Sequence, residues 1–359
     1  PEGDSIALST GIIVHVHTAS DAIKWMIRHD YEREPRVQPG DVLCNNEPFI
    51  GDVHNTDIQT IVPIFWEGEL VGWTAGITHE TDIGATTPGA LPTGPTSRFD
   101  DGLDIPAQKV GENDQYHNDY ELRTQLGTRA PDMWKLNDRC RLAGCHMIRA
   151  AVHDLIEEQG IEAYKQFIRE IIEDGRREFQ QRVSELTVPG RYRAPTFTDL
   201  PMEGEQGLPI QAAKDRMMHA PLELEIGSDS SFEIDLDGAN AQGSHPSNGY
   251  PTALQGAIWV LLTQTIIPND KINDGAYYAT ETTAPDGTWC NPDDIKVATS
   301  DAWYFLRPGI NGLVRSLGRS FNARGYVEEV FSGYCDSTNY MQGEGDNMFG
   351  DWTAVNNME

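Results

Sequence analysis

Apolar positions concentrate in two runs, Ile58–Trp66 and Leu70–Ile77, separated by Glu67-Gly68-Glu69. They are rich in Ile, Val, Phe and Trp, and together they predict a β-hairpin. Before it, the apolar run Ile6–Val16 predicts a strand, Asp21–Arg28 a helix, residues 35–40 a turn and Val42–Cys44 a short strand. After it, residues 84–110 are rich in Gly, Pro and Thr and read as a long loop, a length that usually marks function or disorder. The period then changes from two to 3.6. Pro131–Gly160 reads as a helix with Leu142, Cys145, Ile148, Val152, Leu155 and Ile156 as its core face. Ile161–Leu186 reads as a second, with Tyr164, Phe167, Ile168, Ile171, Ile172, Phe179 and Val183 inward, and Gly160 joins the two as an antiparallel helical hairpin. A Pro- and Gly-rich stretch from Thr187 marks a boundary. Beyond it lie a hairpin (Leu222–Ile226, Phe232–Leu236), a buried helix (Thr252–Ile266), a helix around Trp303–Arg324, and a Gly-rich polar end that stops mid-structure.

The fold class expected is mixed α+β. Residues 1–130 form a β-hairpin-rich sheet region carrying the candidate site, 131–188 the helical hairpin, and 189–359 a second α+β region truncated at its C-terminal end.

The chemistry sits at the mouth of the first hairpin. His54 and Asp57 lie just before the first strand and His79 just after the second. With a two-residue loop, His79 faces Thr56; a three-residue loop or one bulge puts Asp57 directly opposite His79, with Cβ atoms roughly 4.5–5.5 Å apart. His54 joins them only if the chain bends at Asn55–Thr56. Two imidazoles and a carboxylate with open positions suit Mn, Fe or Zn better than Ca or Mg. The alternative is that all three are ordinary solvated loop residues. Asp52, Glu80 and Asp82 stand near enough to fix imidazole tautomers. The 84–110 loop is a candidate lid or wall, and its Arg98 either holds a carboxylate or bicarbonate or is a surface arginine. His15 and His17 would share a strand face and could bind metal; His15 reads better as a core or pocket histidine and His17 as a turn residue. Arg141, His146 and Arg149 could face the site from the first long helix.

Composition narrows the classes. The 359 residues carry 56 acidic and 27 basic side chains, a formal charge of −29 that repels phosphate backbones and argues against nucleic-acid binding. No apolar run approaches the roughly 18 residues needed to cross a bilayer, and mean hydropathy is −0.48, so no membrane association is expected. The five cysteines (44, 140, 145, 290 and 335) show no framework spacing and read as structural thiols of a reducing, cytoplasmic compartment. There is no G-x-x-x-x-G-K-[ST], no G-x-G-x-x-G after a strand and no G-x-S-x-G, so any ATP the reaction needs is bound by another polypeptide.

The run DVLCNNEPFIGDVHNTDIQTIVPIFWEGELVGW, then THETDIGATTPGALPTGPTSRFDDGLDIPAQKVGE, resembles the hydantoinase B/oxoprolinase family, and within it the branch of acetone carboxylase α subunits. The likeness continues through RLAGCHMIRAAVHDLIEEQGIEAYKQFIREIIEDGRREF, TVPGRYRAPTF, GTWCNPDD and RSFNARGYVEEV. It departs at Glu47, where an N-D-P-F segment has Asp. The resemblance implies a manganese ion on His54, Asp57 and His79. It also implies a hetero-oligomer with β and γ subunits, with ATP used on the β subunit, and carboxylation of acetone by bicarbonate-derived CO2 to acetoacetate. Such subunits are longer at both ends, so a fragment is expected. The alternatives are an ATP-dependent hydantoinase or 5-oxoprolinase component that opens a cyclic amide, a non-haem iron oxygenase, and a non-enzymatic assembly subunit.

Overall fold

The computed structural model describes residues 2–8, 13–15, 17–92, 94–200, 216–267, 272–326, 340–346 and 352–358. In chain order its elements are α1 (Thr18–Arg28), β1 (Val42–Asn45), β2 (Asp57–Trp66), β3 (Glu69–His79), β4 (Gln108–Glu112), β5 (Gln115–Tyr116), α2 (Asn118–Gly127), α3 (Pro131–Gln159), α4 (Ile161–Leu186), β6 (Gly190–Ala194), β7 (Phe197–Leu200), β8 (Arg216–His219), β9 (Leu222–Ile226), β10 (Phe232–Asp235), α5 (Pro251–Thr265), β11 (Thr280–Thr283), α6 (Trp303–Arg324), β12 (Tyr340–Asp346) and β13 (Trp352–Met358).

The first sheet has the order β3-β2-β1-β4-β5 and is antiparallel throughout. The residues of β2 from Asp57 to Ile64 are buried on both faces. On one face Ile58 and Val62 join Val42 and Cys44 against Tyr120 of α2 and Trp134, Leu142 and Cys145 of α3. On the other, Leu43 and Ile61 meet Ala22, Ile23 and Met26 of α1. Burying each such aliphatic side chain is worth about 1.5–3 kcal/mol, so this helix–sheet–helix sandwich fixes the hairpin firmly. Gly76 lets α3 lie directly on β3, since a Cβ there would sit 3.0 Å from the Arg141 carbonyl oxygen.

The second sheet, β11-β10-β9-β6, alternates apolar-in and polar-out along β9 and β10. Its inner face packs with α5, α6 and the Phe179–Val183 end of α4, and Val14 and Val53 reach across into the same core. The mixed α+β class, the helical hairpin and the second α+β region are therefore as the sequence predicts.

Four expectations differ. The Ile6–Val16 run forms no strand among its described residues: Ile13–His15 make a single 3-10 turn, and Val14 is buried among helices. A short apolar run cannot tell these cases apart. Ile148, Leu155 and Phe167 are exposed, because only one side of each long helix meets a sheet. The 84–110 loop is not structureless, since it holds a short helical turn at Arg98–Asp100 and the start of β4. The polar chain end contains the hairpin β12–β13, whose glycines and polar residues hide the strand pattern.

Candidate metal centre

The hairpin sets the register. Trp66 pairs with Glu69 and Phe65 with Leu70 across a two-residue loop, but a bulge then shifts the pairing so that Ile64 faces Gly72. From there the ladder runs without a break to Asp57 opposite His79. The bend at Asn55–Thr56 is a tight turn closed by the Asp57 N–H donating to the His54 carbonyl at 3.2 Å. It swings His54 onto the side of Asp57. One ligand atom each from His54, Asp57 and His79 lies within 4.8 Å of the others, and the two imidazole centroids are 5.1 Å apart.

The surrounding chain holds this mouth in place. Asn46 donates to the Asn55 and Leu103 carbonyls at 2.7 and 2.9 Å and accepts from the Ile105 N–H at 2.7 Å. The 84–92 segment is bound down as well: Thr56 Oγ1 donates to the Ala90 carbonyl at 2.8 Å, and Ala90 and Leu91 are buried. Ser300 Oγ donates to the Pro92 carbonyl, so residues 297–301 complete the wall.

These contacts decide the tautomer of His54. Its Nδ1 lies 3.1 Å from the Ser300 carbonyl oxygen and 3.0 Å from Thr56 Oγ1, whose own proton is given to Ala90. Both neighbours accept, so Nδ1 carries a proton and Nε2 is the nitrogen left to face Asp57. That Nε2 lies 2.8 Å from Asp57 Oδ2. Asp57 Oδ2 accepts no aligned hydrogen bond among the described residues. Two lone pairs at that separation require a cation between them, either a proton on His54 or a metal ion. The electrostatics agree. Burial works against charge on His54, yet the Asp57 carboxylate outweighs it and raises the His54 pKa. Burial likewise opposes the Asp57 carboxylate, but His15 and His54 hold its pKa well below the usual range. Burial pushes His79 down to about 4, which leaves it a neutral donor at physiological pH. The donor set of two imidazoles and one carboxylate fits a divalent first-row ion, which would take the place of the proton between His54 and Asp57.

The hydantoinase B/oxoprolinase family model matches residues 1–355. The chain belongs to this family. It is 46% identical over 359 residues to the acetone carboxylase α subunit of Xanthobacter autotrophicus, covering 99% of this chain and 46% of that one. The acetophenone carboxylase δ subunit of Aromatoleum aromaticum is 27% identical over 303 residues, 83% of this chain and 42% of the relative. A nucleotide-free acetone carboxylase structure superposes with a TM-score of 0.95 at 46% identity, over 99% of this chain and 47% of that one. An ATP-dependent caprolactamase from Pseudomonas jessenii shares the fold, at a TM-score of 0.76 and 18% identity, over 87% of this chain and 51% of that one. The chain thus spans about half the length of the relatives it matches.

Of the other residues singled out along this family member's sequence, some reach the site and others do not. His15 reaches the site, with Nε2 3.4 Å from Asp57 Oδ1, whereas His17 is buried against Trp259 and lies 3.4 Å from Asp21. Asp52 is buried beside Asp57, and burial together with that like charge raises its pKa well above normal. Glu80 and Asp82 do not serve the imidazoles. Glu80 binds Arg141 and Asn137, while Asp82 binds Arg129, Thr128 and the Gly84 and Gly89 N–H groups. Both follow His79, where the chain turns toward α3, so they anchor that exit. Arg98 is saturated by Glu47 and Asp104 and lines a small separate cavity with Asn55, Asp101 and Tyr250. Glu47, the departure from the family pattern, is therefore an ion-pair partner. Arg141 faces the sheet, and His146 and Arg149 both turn to Asp114 rather than to His54, Asp57 or His79. The Ser300 carbonyl and the 297–301 wall left no signal in the sequence, because a backbone oxygen has none.

Proposed function

We propose that this chain is the metal-centre portion of the α subunit of an ATP-dependent ketone carboxylase, converting acetone and bicarbonate-derived CO2 to acetoacetate. His54, Asp57 and His79 hold the ion, with manganese favoured over iron or zinc. When bound, the ion supplies Lewis-acid stabilisation to a developing enolate oxygen. The residues of the chain orient that centre and keep it dry: the 84–92 segment and residues 297–301 close over the imidazoles, which protects a carbanion-like species from protons. Residues 1–130 form the metal module, 131–188 the helical hairpin and 189–359 the second module. ATP acts on a β subunit, and a γ subunit completes the assembly. Exposed Leu122, Leu126, Met133, Leu136, Met147 and Phe167 support a partner-covered helical face. Free thiols at Cys44, Cys140, Cys145 and Cys290 support a cytoplasmic setting, and among the described residues no helix is long and apolar enough to cross a membrane.

One observation carries the reading: His54, Asp57 and His79 each bring one ligand atom within 4.8 Å of the others, in a chain 46% identical to a carboxylase subunit. The test is elemental analysis of the purified assembly with acetone-dependent fixation of labelled bicarbonate, wild type against Asp57→Ala. Manganese and fixation are expected in the first and neither in the second. Metal retained by Asp57→Ala refutes the ligand set. Opening of a cyclic amide without fixation shifts the activity to the hydantoinase and oxoprolinase branch, and oxygen uptake with bound iron points to an oxygenase.

A further inference from the structure

The metal-ligating aspartate has two oxygens, and the structure gives them different neighbours. Oδ2 faces His54, while Oδ1 lies 3.4 Å from Nε2 of His15. His15 stands on the Ile13–His15 turn, outside the hairpin, and its Nδ1 lies 3.2 Å from Thr18 Oγ1 at the start of α1. Beside it Asp52 takes the Val53 N–H on Oδ1 at 2.8 Å and leaves Oδ2 buried without a hydrogen-bond partner among the described residues. Ligand atoms of His15, Asp52 and Asp57 all lie within 4.8 Å of one another. The Nε2 edge of the His15 imidazole is therefore placed beside two buried carboxyl groups.

We propose that His15 is a positioning residue, whose imidazole occupies Asp57 Oδ1 so that the carboxylate meets the ion through Oδ2 alone. Without it, Asp57 is free to rotate or to turn both oxygens on the ion. Partners that orient a metal ligand typically carry a 10–100-fold effect on metal affinity. The inference rests on the ligand reading above.

The experiment is titration of the metal-stripped full-length chain in its assembly with Mn2+ alone, read by chelator competition and by the Mn2+ EPR spectrum. His15→Ala weakens binding about 10–100-fold and alters the spectrum. His15→Gln, whose amide N–H reaches near the position of Nε2, restores wild-type affinity and spectrum, whereas the shorter His15→Asn does not. Wild-type affinity in His15→Ala, or a His15→Gln protein as weak as His15→Asn, overturns the proposal. Should the alanine variant fail to fold, the Gln/Asn comparison decides alone. Asp57→Ala is the reference: Mn2+ bound at wild-type affinity there refutes the ligand set itself. Loss there with no change in His15→Ala refutes only the role of His15.

Discussion

Arg141→Met tests whether the exit of β3 is held by one buried cation. The Arg141 side chain is fully buried, and it ion-pairs with both Glu80 and Asp138. It also donates to Thr60 and Thr78 on the two strands of the hairpin. Methionine keeps much of the volume but leaves two carboxylates uncompensated. Breaking a buried pair in this way costs about 3–5 kcal/mol, and two lost hydrogen bonds add about 0.5–1.5 kcal/mol each. The loss is capped, because the carboxylates can protonate. Burial already raises Glu80 and Asp138 above their ordinary values even with the arginine present. The expected destabilisation is thus roughly 4–6 kcal/mol at pH 8. It shrinks toward pH 5 as both groups take protons, and it is partly recovered by adding Glu80→Gln. Urea unfolding at several pH values measures this, with Mn2+ titration alongside, since Glu80 follows His79 directly. A variant within 1 kcal/mol of wild type at pH 8, or one whose deficit ignores pH, would falsify the argument.

Further outcomes are expected elsewhere. Asp101 is buried, and that burial, opposed by the Thr299 N–H, raises its pKa from 3.8 to about 7. A carboxyl with a raised folded pKa stabilises fully below about pH 4 and loses that contribution as pH climbs through 7. Asp101→Asn should therefore flatten the pH dependence of unfolding by about 4 kcal/mol between pH 4 and 8, and unchanged slopes would count against this. Mn2+ affinity should rise about tenfold per pH unit through the range below the raised His54 pKa. It should release one proton rather than two, because His79 is already neutral above pH 5; potentiometric titration reads the number. A Cβ at residue 256 would lie 2.6 Å from the Val14 carbonyl oxygen. Gly256→Ala should therefore displace the turn that carries His15, cost about 1–3 kcal/mol in thermal unfolding and weaken Mn2+ binding; a wild-type melt speaks against the close approach.

The parts of this molecule written in local pattern were readable from the chain. Pro131 and Gly160 bound α3, and the Ile/Val-rich runs give β2 and β3 nearly to the residue. Proximity of His54, Asp57 and His79 could be argued because hairpin geometry ties distant numbers together. What pairing rules do not reach stayed hidden. His15 comes to Asp57 through a turn held by α5, and Ser300 contributes only a carbonyl. Glu80 and Asp82 looked like imidazole partners by nearness in sequence. Yet Arg141 and Arg129, about 50–60 positions away, compete for them more strongly, because burying a carboxylate demands a full countercharge.

The bulge near the hairpin turn reaches further than its size suggests. It lies between Ile64 and Phe65 on one strand, where the partner strand carries Val71 as the extra residue. At about 3.4 Å per residue Asp57 and His79 sit some 25 Å down the ribbon. Parity propagates over that whole length, so removing Val71, buried with Ile64, Ile156 and Tyr164, would hand the position opposite His79 to a threonine. A homologue could thus keep His54, Asp57 and His79 and still lose their meeting point through an indel at the far end of the hairpin.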